Sequence, residues 1–383
     1  MANHFTYRIL TDVEKKNLAI LEILRTSGPI SRTDISKRLE INMVTISNYV
    51  KNYIKKSFVI ETGQEVSTGG RRPELIDLNA AGGYAIGVGI TPYSLIATIA
   101  DLKLKVIERI SKVEAFGVPK VVDVIRELID DSKIDAKKIR GIGLGVSSIM
   151  KININELEDA VAEKFSLPTF VAQDAMCAAM AEKRLNPKAD VYNMLYMHSD
   201  VGCGIILQGD IYLGSSGDAG EISLSSERLG DKEEVFLKES NYLKPWSSDL
   251  GIVSEARDMI SKGVGTKMVQ LVKGDISKVG LDTVIEAAKS DDEVAKGIIS
   301  VAGTNLGLRI AYLVNLFNPE VVVIGGGIEQ AGDIVLRSVE EVIRKFSLEN
   351  SIRVLKVTPS ILGEDSVSLG SASLMIRECF LKI

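Results

Sequence analysis

The chain has 383 residues, 45% hydrophobic and 25% charged, with a formal net charge of −5. The length predicts two or three structural units, and the composition excludes disordered and collagen-like chains. No apolar run approaches the roughly 20 residues that cross a bilayer, and the first 20 residues lack a signal-peptide core. Cys177, Cys203 and Cys379 have no paired spacing. These features set the expectation of a cytoplasmic protein with no membrane association, disulfide framework or structural zinc. His4 and His198 are the only histidines, which leaves little for His-based metal or triad chemistry, and no cofactor is expected.

Charge is unevenly spread. Residues 1–80 hold 12 Lys and Arg against 9 Asp and Glu, and the remainder holds 34 against 42. A mildly basic head on an acidic body fits a nucleic-acid-binding module joined to another unit.

Three helices are predicted in the head. The first runs from about Val13 to Thr26, with Leu18, Leu21, Ile23 and Leu24 as its buried stripe, and ends at Ser27-Gly28-Pro29. The second starts at Ser31, whose spacing to Asp34 matches a capping box, and reaches about Leu39. After Glu40-Ile41, Asn42 is a good N-cap for a third helix, MVTISNYVKNYIKKS. On it Ile46, Val50 and Tyr53 share one face and are expected to pack inward. Asn42, Met43, Val44, Thr45, Asn48, Lys51 and Lys55 lie on its N-terminal turn and opposite face.

Helix, tight turn, helix places the second helix of the motif in a DNA major groove. Asn48 suits an adenine edge, and Met43, Val44 or the Thr45 methyl suit thymine methyls. Lys51, Lys55 and Lys56 suit phosphates, as do Ser31 and Arg32 at a helix N-terminus. Strands at 58–61 and 75–78 form a hairpin, the wing. Its tip carries Gly69-Gly70-Arg71-Arg72-Pro73, which places Arg71 and Arg72 for a narrow minor groove. The domain expected over 1–80 is therefore a winged helix-turn-helix.

From Tyr84 strands alternate with helices. Strands are predicted at 85–88, 94–100, 139–147, 169–172, 194–197, 202–207 and 321–324. Helices are predicted at 121–131, 155–165 and 174–184, with a long helical region at about 247–317. Two α/β lobes follow from this pattern, about 81–190 and 191–383.

The stretches VAQDAMCAAMAEKRL, GCGIILQGDIYLGSSGDAGEIS and LVNLFNPEVVVIGGGI, after a winged helix ending in GGRRP, resemble the ROK family of sugar kinases and sugar-responsive repressors along essentially the whole chain. The resemblance implies a body with the two-lobe actin/hexokinase-like (ribonuclease H-like) ATPase fold. It also implies a homodimer or higher homo-oligomer, two heads on a pseudo-palindromic site, and a sugar or sugar-derivative effector between the lobes.

The departures from the family pattern bear on function. Where active members carry Asp-x-Gly-Gly-Thr, the chain reads Gly89-Ile90-Thr91-Pro92-Tyr93, without the carboxylate that helps hold magnesium. Phosphoryl transfer depends on that positioning and charge neutralisation. His198-Ser199-Asp200-Val201-Gly202 replaces the second phosphate loop, leaving Gly202 and Gly204. Gly325, Gly326 and Gly327 read either as a retained nucleotide turn or as a tight strand-to-helix turn. Gln173-Asp174 stands at the kinase-base position, where Asp174 is either a general base or the N-cap of the next helix. Glu221 matches the family's Gly-Glu-Ile-Gly-His motif, but Ser223-Leu224 replaces Gly-His, and the zinc-binding cysteines are missing. Gln173, Asp174 and Glu221 are thus the effector-contact candidates.

The expected function is sequence-specific transcriptional regulation, most simply repression of carbohydrate-related genes, by a protein that is not an enzyme. The alternatives are an ATP-dependent sugar kinase carrying a DNA-binding head, and a regulator whose body binds another protein.

Overall fold

The computed structural model describes residues 10–64, 74–91, 94–113, 117–148, 150, 152–198, 202–222 and 249–382. The chain forms two compact units, residues 1–177 with 367–383, and residues 178–366.

The first unit opens with α1 (Asp12–Ser27), α2 (Arg32–Leu39) and α3 (Met43–Lys55). Each starts where a side chain takes up free backbone N–H groups. Thr11 and Glu14 form a capping box on α1. Ser31 Oγ accepts from the Asp34 amide at 3.1 Å on α2, and Asn42 Oδ1 accepts from the Thr45 amide at 2.8 Å on α3. Glu40 takes the left-handed conformation that ends α2 (φ 54°). Ile20, Leu21, Leu24, Ile35, Ile46, Val50 and Tyr53 meet in the core.

The hairpin is β2 (Val59–Gln64) with β3 (Glu74–Leu78). A two-residue strand, β1 (Ile30–Ser31), pairs with the other edge of β3, giving the order β1-β3-β2. The strand β1 was not expected; two residues are too few to show alternation. The wing tip, with Arg71 and Arg72, lies outside the described residues.

The same unit continues with β4 (Tyr84–Ile90), β5 (Leu95–Asp101), β6 (Val106–Lys112), α4 (Val118–Ser132), β7 (Ile139–Val146), α5 (Ile154–Phe165) and β8 (Thr169–Gln173). The sheet order is β6-β5-β4-β7-β8. An antiparallel meander of three strands is extended by two parallel ones. The edge strand β6 was also unforeseen; its VIERISK sequence is half exposed and charged, as an edge requires.

Then α6 (Asp174–Leu185) leads into the second unit, which contains β9 (Met194–His198), β10 (Gly202–Leu207), β11 (Asp210–Ile211), β12 (Val321–Gly325) and β13 (Lys356–Pro359). Their order, β11-β10-β9-β12-β13, repeats the first sheet's topology: third, second, first, fourth, fifth. The long helical region resolves into α7 (Asp249–Ser261), α8 (Met268–Leu271), α9 (Leu281–Lys289) and α10 (Glu293–Phe317). Asp292 caps α10 by accepting from the Ala295 amide at 2.8 Å. After β12 come α11 (Asp333–Phe346) and α12 (Glu349–Val354).

By length and composition α10 is apolar enough to cross a membrane, contrary to the sequence reading, but half of its most apolar window is buried inside the protein. It packs along α11, where Gly303 and Gly307 face the backbone of Val335 and Val339.

The final helix, α13 (Ser366–Leu381), returns to the first unit. The units divide at Cys177/Ala178 and again at Ser366/Val367. The reason is packing: α13 lies on the sheet of the first unit along a track of glycines. A Cβ on Gly87 would fall 1.9 Å from the Ser368 carbonyl oxygen, and one on Gly143 2.3 Å from that of Ser371. On the helix side, a Cβ on Gly370 would fall 1.7 Å from the Cys177 carbonyl oxygen. Helix and strand backbones approach this closely only where side chains are missing.

Candidate nucleic-acid interface and the kinase-like body

The third helix divides cleanly into two faces. Ile46, Val50 and Tyr53 are fully buried. The Tyr53 hydroxyl donates to Asn17 Oδ1 of α1 at 2.6 Å, and its burial raises the phenol's pKa. The opposite face is exposed at Asn42, Met43, Val44, Asn48, Lys51 and Lys55. Val44, Asn48, Lys51 and Lys55 fall at i, i+4, i+7 and i+11, a single stripe. Val44 is 72% exposed, which for a β-branched apolar residue on a helix has no packing rationale. The first turn of α3 holds no acidic residue, so nothing there repels a phosphate. Thr45 is half-buried and its amide is engaged by Asn42. Asn52, also exposed, continues the polar face and was not singled out from the sequence; its signal is its i+4 spacing from Asn48.

Ser31 and Arg32 are placed differently from the rest. Ser31 is buried, and its hydroxyl also donates to Asp34 Oδ2 at 2.6 Å. The Arg32 guanidinium bridges both strands of the wing, to Glu61 at 2.7 Å and Glu74 at 3.3 Å. Its charge ties α2 to the hairpin base.

In the body, the residues where the sequence departs from the family pattern begin in regular strand. Gly89 and Ile90 are paired on both sides, to β5 and to β7. The Thr91 amide donates to the Ser94 carbonyl at 3.0 Å, and the Ser94 amide to Thr91 Oγ1 at 3.1 Å. Pro92 and Tyr93 lie outside the described residues, as do Ser199, Asp200, Val201, Ser223 and Leu224. Gly202 and Gly204 are strand residues opposite His198 and Tyr196, and Gly202 also bridges to Glu221.

The turn at Gly325–Gly327 is flanked by Tyr196 and Glu329. A Cβ on Gly325 would lie 2.0 Å from the Tyr196 hydroxyl oxygen. Gly326 and Gly327 have φ of 91° and 116°, conformations that favour glycine. The Gly327 amide donates to Glu329 Oε2 at 2.7 Å. Glu329 is 6% exposed. Burial first, and then the nearby Glu182 carboxylate, push its pKa up to about 7 against the pull of its backbone hydrogen bonds. Glu182 in turn accepts from the Asn186 side chain, the Ser360 hydroxyl and the Ile361 amide.

Gln173 ends β8 and Asp174 begins α6. Asp174 is buried, and its Oδ1 accepts from the adjacent Ala175 amide at 2.7 Å. Glu221 is exposed in the second unit. Among the described residues no group of His, Cys, Asp and Glu could hold a metal ion. All three cysteines are free, and burial pushes the Cys203 thiol up to about 12 and the Cys379 thiol up to about 11.

Comparison with known proteins agrees with this geometry. The family model described as "ROK family" matches residues 83–223 and 261–378. The chain is similar to the xylose repressor of Caldicellulosiruptor bescii, with 27% identity over 99% of this chain and 98% of that one. Among solved structures it is similar to a ROK family transcriptional regulator, a homolog of the Escherichia coli MLC protein. The TM-score is 0.75 and the identity 23%, over 97% of both chains. A ROK family glucokinase from Streptomyces griseus, in complex with glucose and AMPPNP, has a TM-score of 0.64 and 20% identity. That match covers 99% of the glucokinase but 76% of this chain. The body therefore has the actin/hexokinase-like fold that regulators and kinases share, and the match at full length is to regulators. With the family model covering most of the body and a regulator aligning from end to end, the chain belongs to the ROK family.

Proposed function

We propose that the protein is a sequence-specific DNA-binding transcriptional repressor of carbohydrate-related genes, with its kinase-like body serving as effector-binding and dimerisation domain. The observation that carries this reading is the exposed stripe of Val44, Asn48, Lys51 and Lys55 on a capped helix whose other face is fully buried. Such a helix offers a methyl-bearing and amide-bearing surface to base edges and two ammonium groups to phosphates. Arg71 and Arg72 are assigned to the minor groove beside it. Arg32 and Ser31 shape the site, one by holding the wing and the other by capping α2. Full-length repressor relatives support the same reading.

Loss of kinase activity belongs to the proposal. Two features support it: the Thr91 amide is taken by Ser94 and the Gly327 amide by Glu329, and a buried carboxyl beside the glycine turn is poorly suited to a nucleotide. Gln173, Asp174 and Glu221 are the proposed effector contacts. A sugar or sugar derivative is the proposed effector, and the cytoplasm the proposed compartment. An effector acts by binding unequally to the DNA-competent and DNA-incompetent states. A homodimer would present two heads to a pseudo-palindromic operator.

The test is selection of duplexes from a random pool by the purified full chain, followed by footprinting at moderate salt. Enrichment of a sequence with two related half-sites is the expected result; binding without sequence preference would overturn the proposal. A second reading, a sugar kinase with a DNA-binding head, draws on Asp174, Glu221 and the glycines at 325–327. Turnover of ATP with a hexose or N-acetylhexosamine, abolished by Asp174→Asn, would establish it.

A further inference from the structure

The second unit carries a groove between α7 and α10 that its own packing leaves open. The groove encloses about 420 Å³, within the roughly 300–1,000 Å³ of small-molecule sites. Met259 and Val264 line it from the α7 side, and Val294, Ile298 and Val301 from α10. Ile298 belongs to the core of the unit at 7% exposure, whereas Val264 and Val301 are 36% and 58% exposed. The lining stretch of α10, residues 293–301, is about 12 Å long, the length of a small organic molecule.

Gly297 also lines the groove. Two other glycines of α10 are required by α11: a Cβ on Gly303 would fall 2.9 Å from that of Ser338, and one on Gly307 2.9 Å from that of Val342. A Cβ on Gly297 would meet nothing within 4 Å. Glycine inside a helix lowers stability relative to alanine, and here no neighbour in the chain calls for it. What the glycine does is keep the groove open.

The polar side chains of the lining are two carboxylates, Glu255 and Glu293. Glu255 is half-buried and lies one turn from Met259 on the same face of α7. Glu293 shares Lys296 with Asp291, at 3.0 and 2.8 Å, and the Lys262 ammonium is held by Asp258. Among the described residues Glu255 takes part in no ion pair, so the groove keeps a surplus of negative charge. Asp292 at the N-cap and Glu293 in the first turn offset the positive end of α10. The lining has no hydroxyl or amide side chain with which to read a sugar.

We propose that this groove binds a hydrophobic ammonium ion, with the hydrocarbon against Met259, Val294 and Ile298, the backbone of Gly297 beneath it, and the ammonium on Glu255. A carboxylate flanked by apolar walls attracts a cation more strongly than one in open water, and the walls gain by covering their exposed methyl groups. None of these residues is among the proposed sugar contacts, so the site is independent of the DNA-binding reading and is tested on the free protein.

The test is calorimetry and thermal melting of the full chain at neutral pH with probes that share one hydrophobic body: phenylbutylamine, phenylbutanol and phenylbutyrate. Saturable binding of the amine that raises the melting midpoint is expected, with the alcohol and the carboxylate binding about tenfold more weakly or less. Glu255→Gln is expected to erase the advantage of the amine over the alcohol. Gly297→Leu fills the groove from a position where a Cβ meets nothing, and is expected to abolish binding without lowering the midpoint of the free protein. If that variant does not fold, Val301→Lys, at an exposed position, is expected to weaken amine binding by about tenfold through like charge. Equal binding of amine and alcohol, binding that survives both groove substitutions, or no saturable binding of the amine would overturn the proposal.

Discussion

Substituting Glu329→Gln should make the protein more stable above neutral pH, and the size of the gain follows from the buried carboxyl. Glu329 has a pKa pushed up from 4.5 to about 7. Below pH 4.5 both the folded and the unfolded chain keep the proton, and the folded state loses nothing by burying the group. Between pH 4.5 and 7 the unfolded chain gives it up while the folded chain retains it, so stability falls as pH rises. Above pH 7 the loss levels off at about 3 kcal/mol, from roughly 1.4 kcal/mol per pH unit. Burial leaves little solvent to screen this cost. The groups facing Glu329 are Glu182 and Tyr196, and neither supplies a compensating positive charge. Glutamine keeps a carbonyl oxygen to accept the Gly327 amide and has no proton to lose. In paired urea titrations, the variant should differ little from the unaltered protein at about pH 4 and exceed it by about 3 kcal/mol at about pH 8. A difference that is the same at both pH values, or a less stable variant at pH 8, would refute the account of a destabilising carboxylate at this turn.

Other substitutions separate the roles in the head. Asn48→Ala should weaken binding to a selected duplex by about 1–3 kcal/mol and barely alter binding to random DNA, as measured by fluorescence anisotropy. Lys51→Ala should weaken both alike and lower the salt slope by about one. Arg32→Ala should leave that slope unchanged and lower the melting midpoint slightly, since partly exposed pairs with Glu61 and Glu74 contribute at most about 1 kcal/mol. Tyr53→Phe removes the donor to Asn17. Both groups are buried, so a loss of about 1–3 kcal/mol in urea titrations is expected; an unchanged midpoint would mean that Asn17 finds another partner.

The third helix was legible from sequence because its signals are local. Asn42 caps it, Ile46, Val50 and Tyr53 repeat at helical spacing, and Lys51 and Lys55 fall on the other side. Backbone geometry alone ties such residues together, so α1, α2 and α3 lie within a residue or two of where periodicity placed them.

Tertiary structure decided what those residues face. Gly87 and Gly143 read in sequence as unremarkable strand positions, yet they admit a helix more than 200 residues away. Arg32 looked free to meet a phosphate, but residues 29 and 42 positions further on claim its guanidinium. The Gly327 amide is engaged by Glu329, a partner that the sequence did not single out. Phe380 carried no signal at all in the sequence, because an aromatic near a chain terminus has no period to belong to. Pairings at long sequence separation depend on how the chain closes on itself, and no local pattern records that. The sequence by itself thus determined the three helices of the N-terminal head, and only the folded chain showed that the last helix packs against them, with Phe380 beside Tyr53 and Phe58.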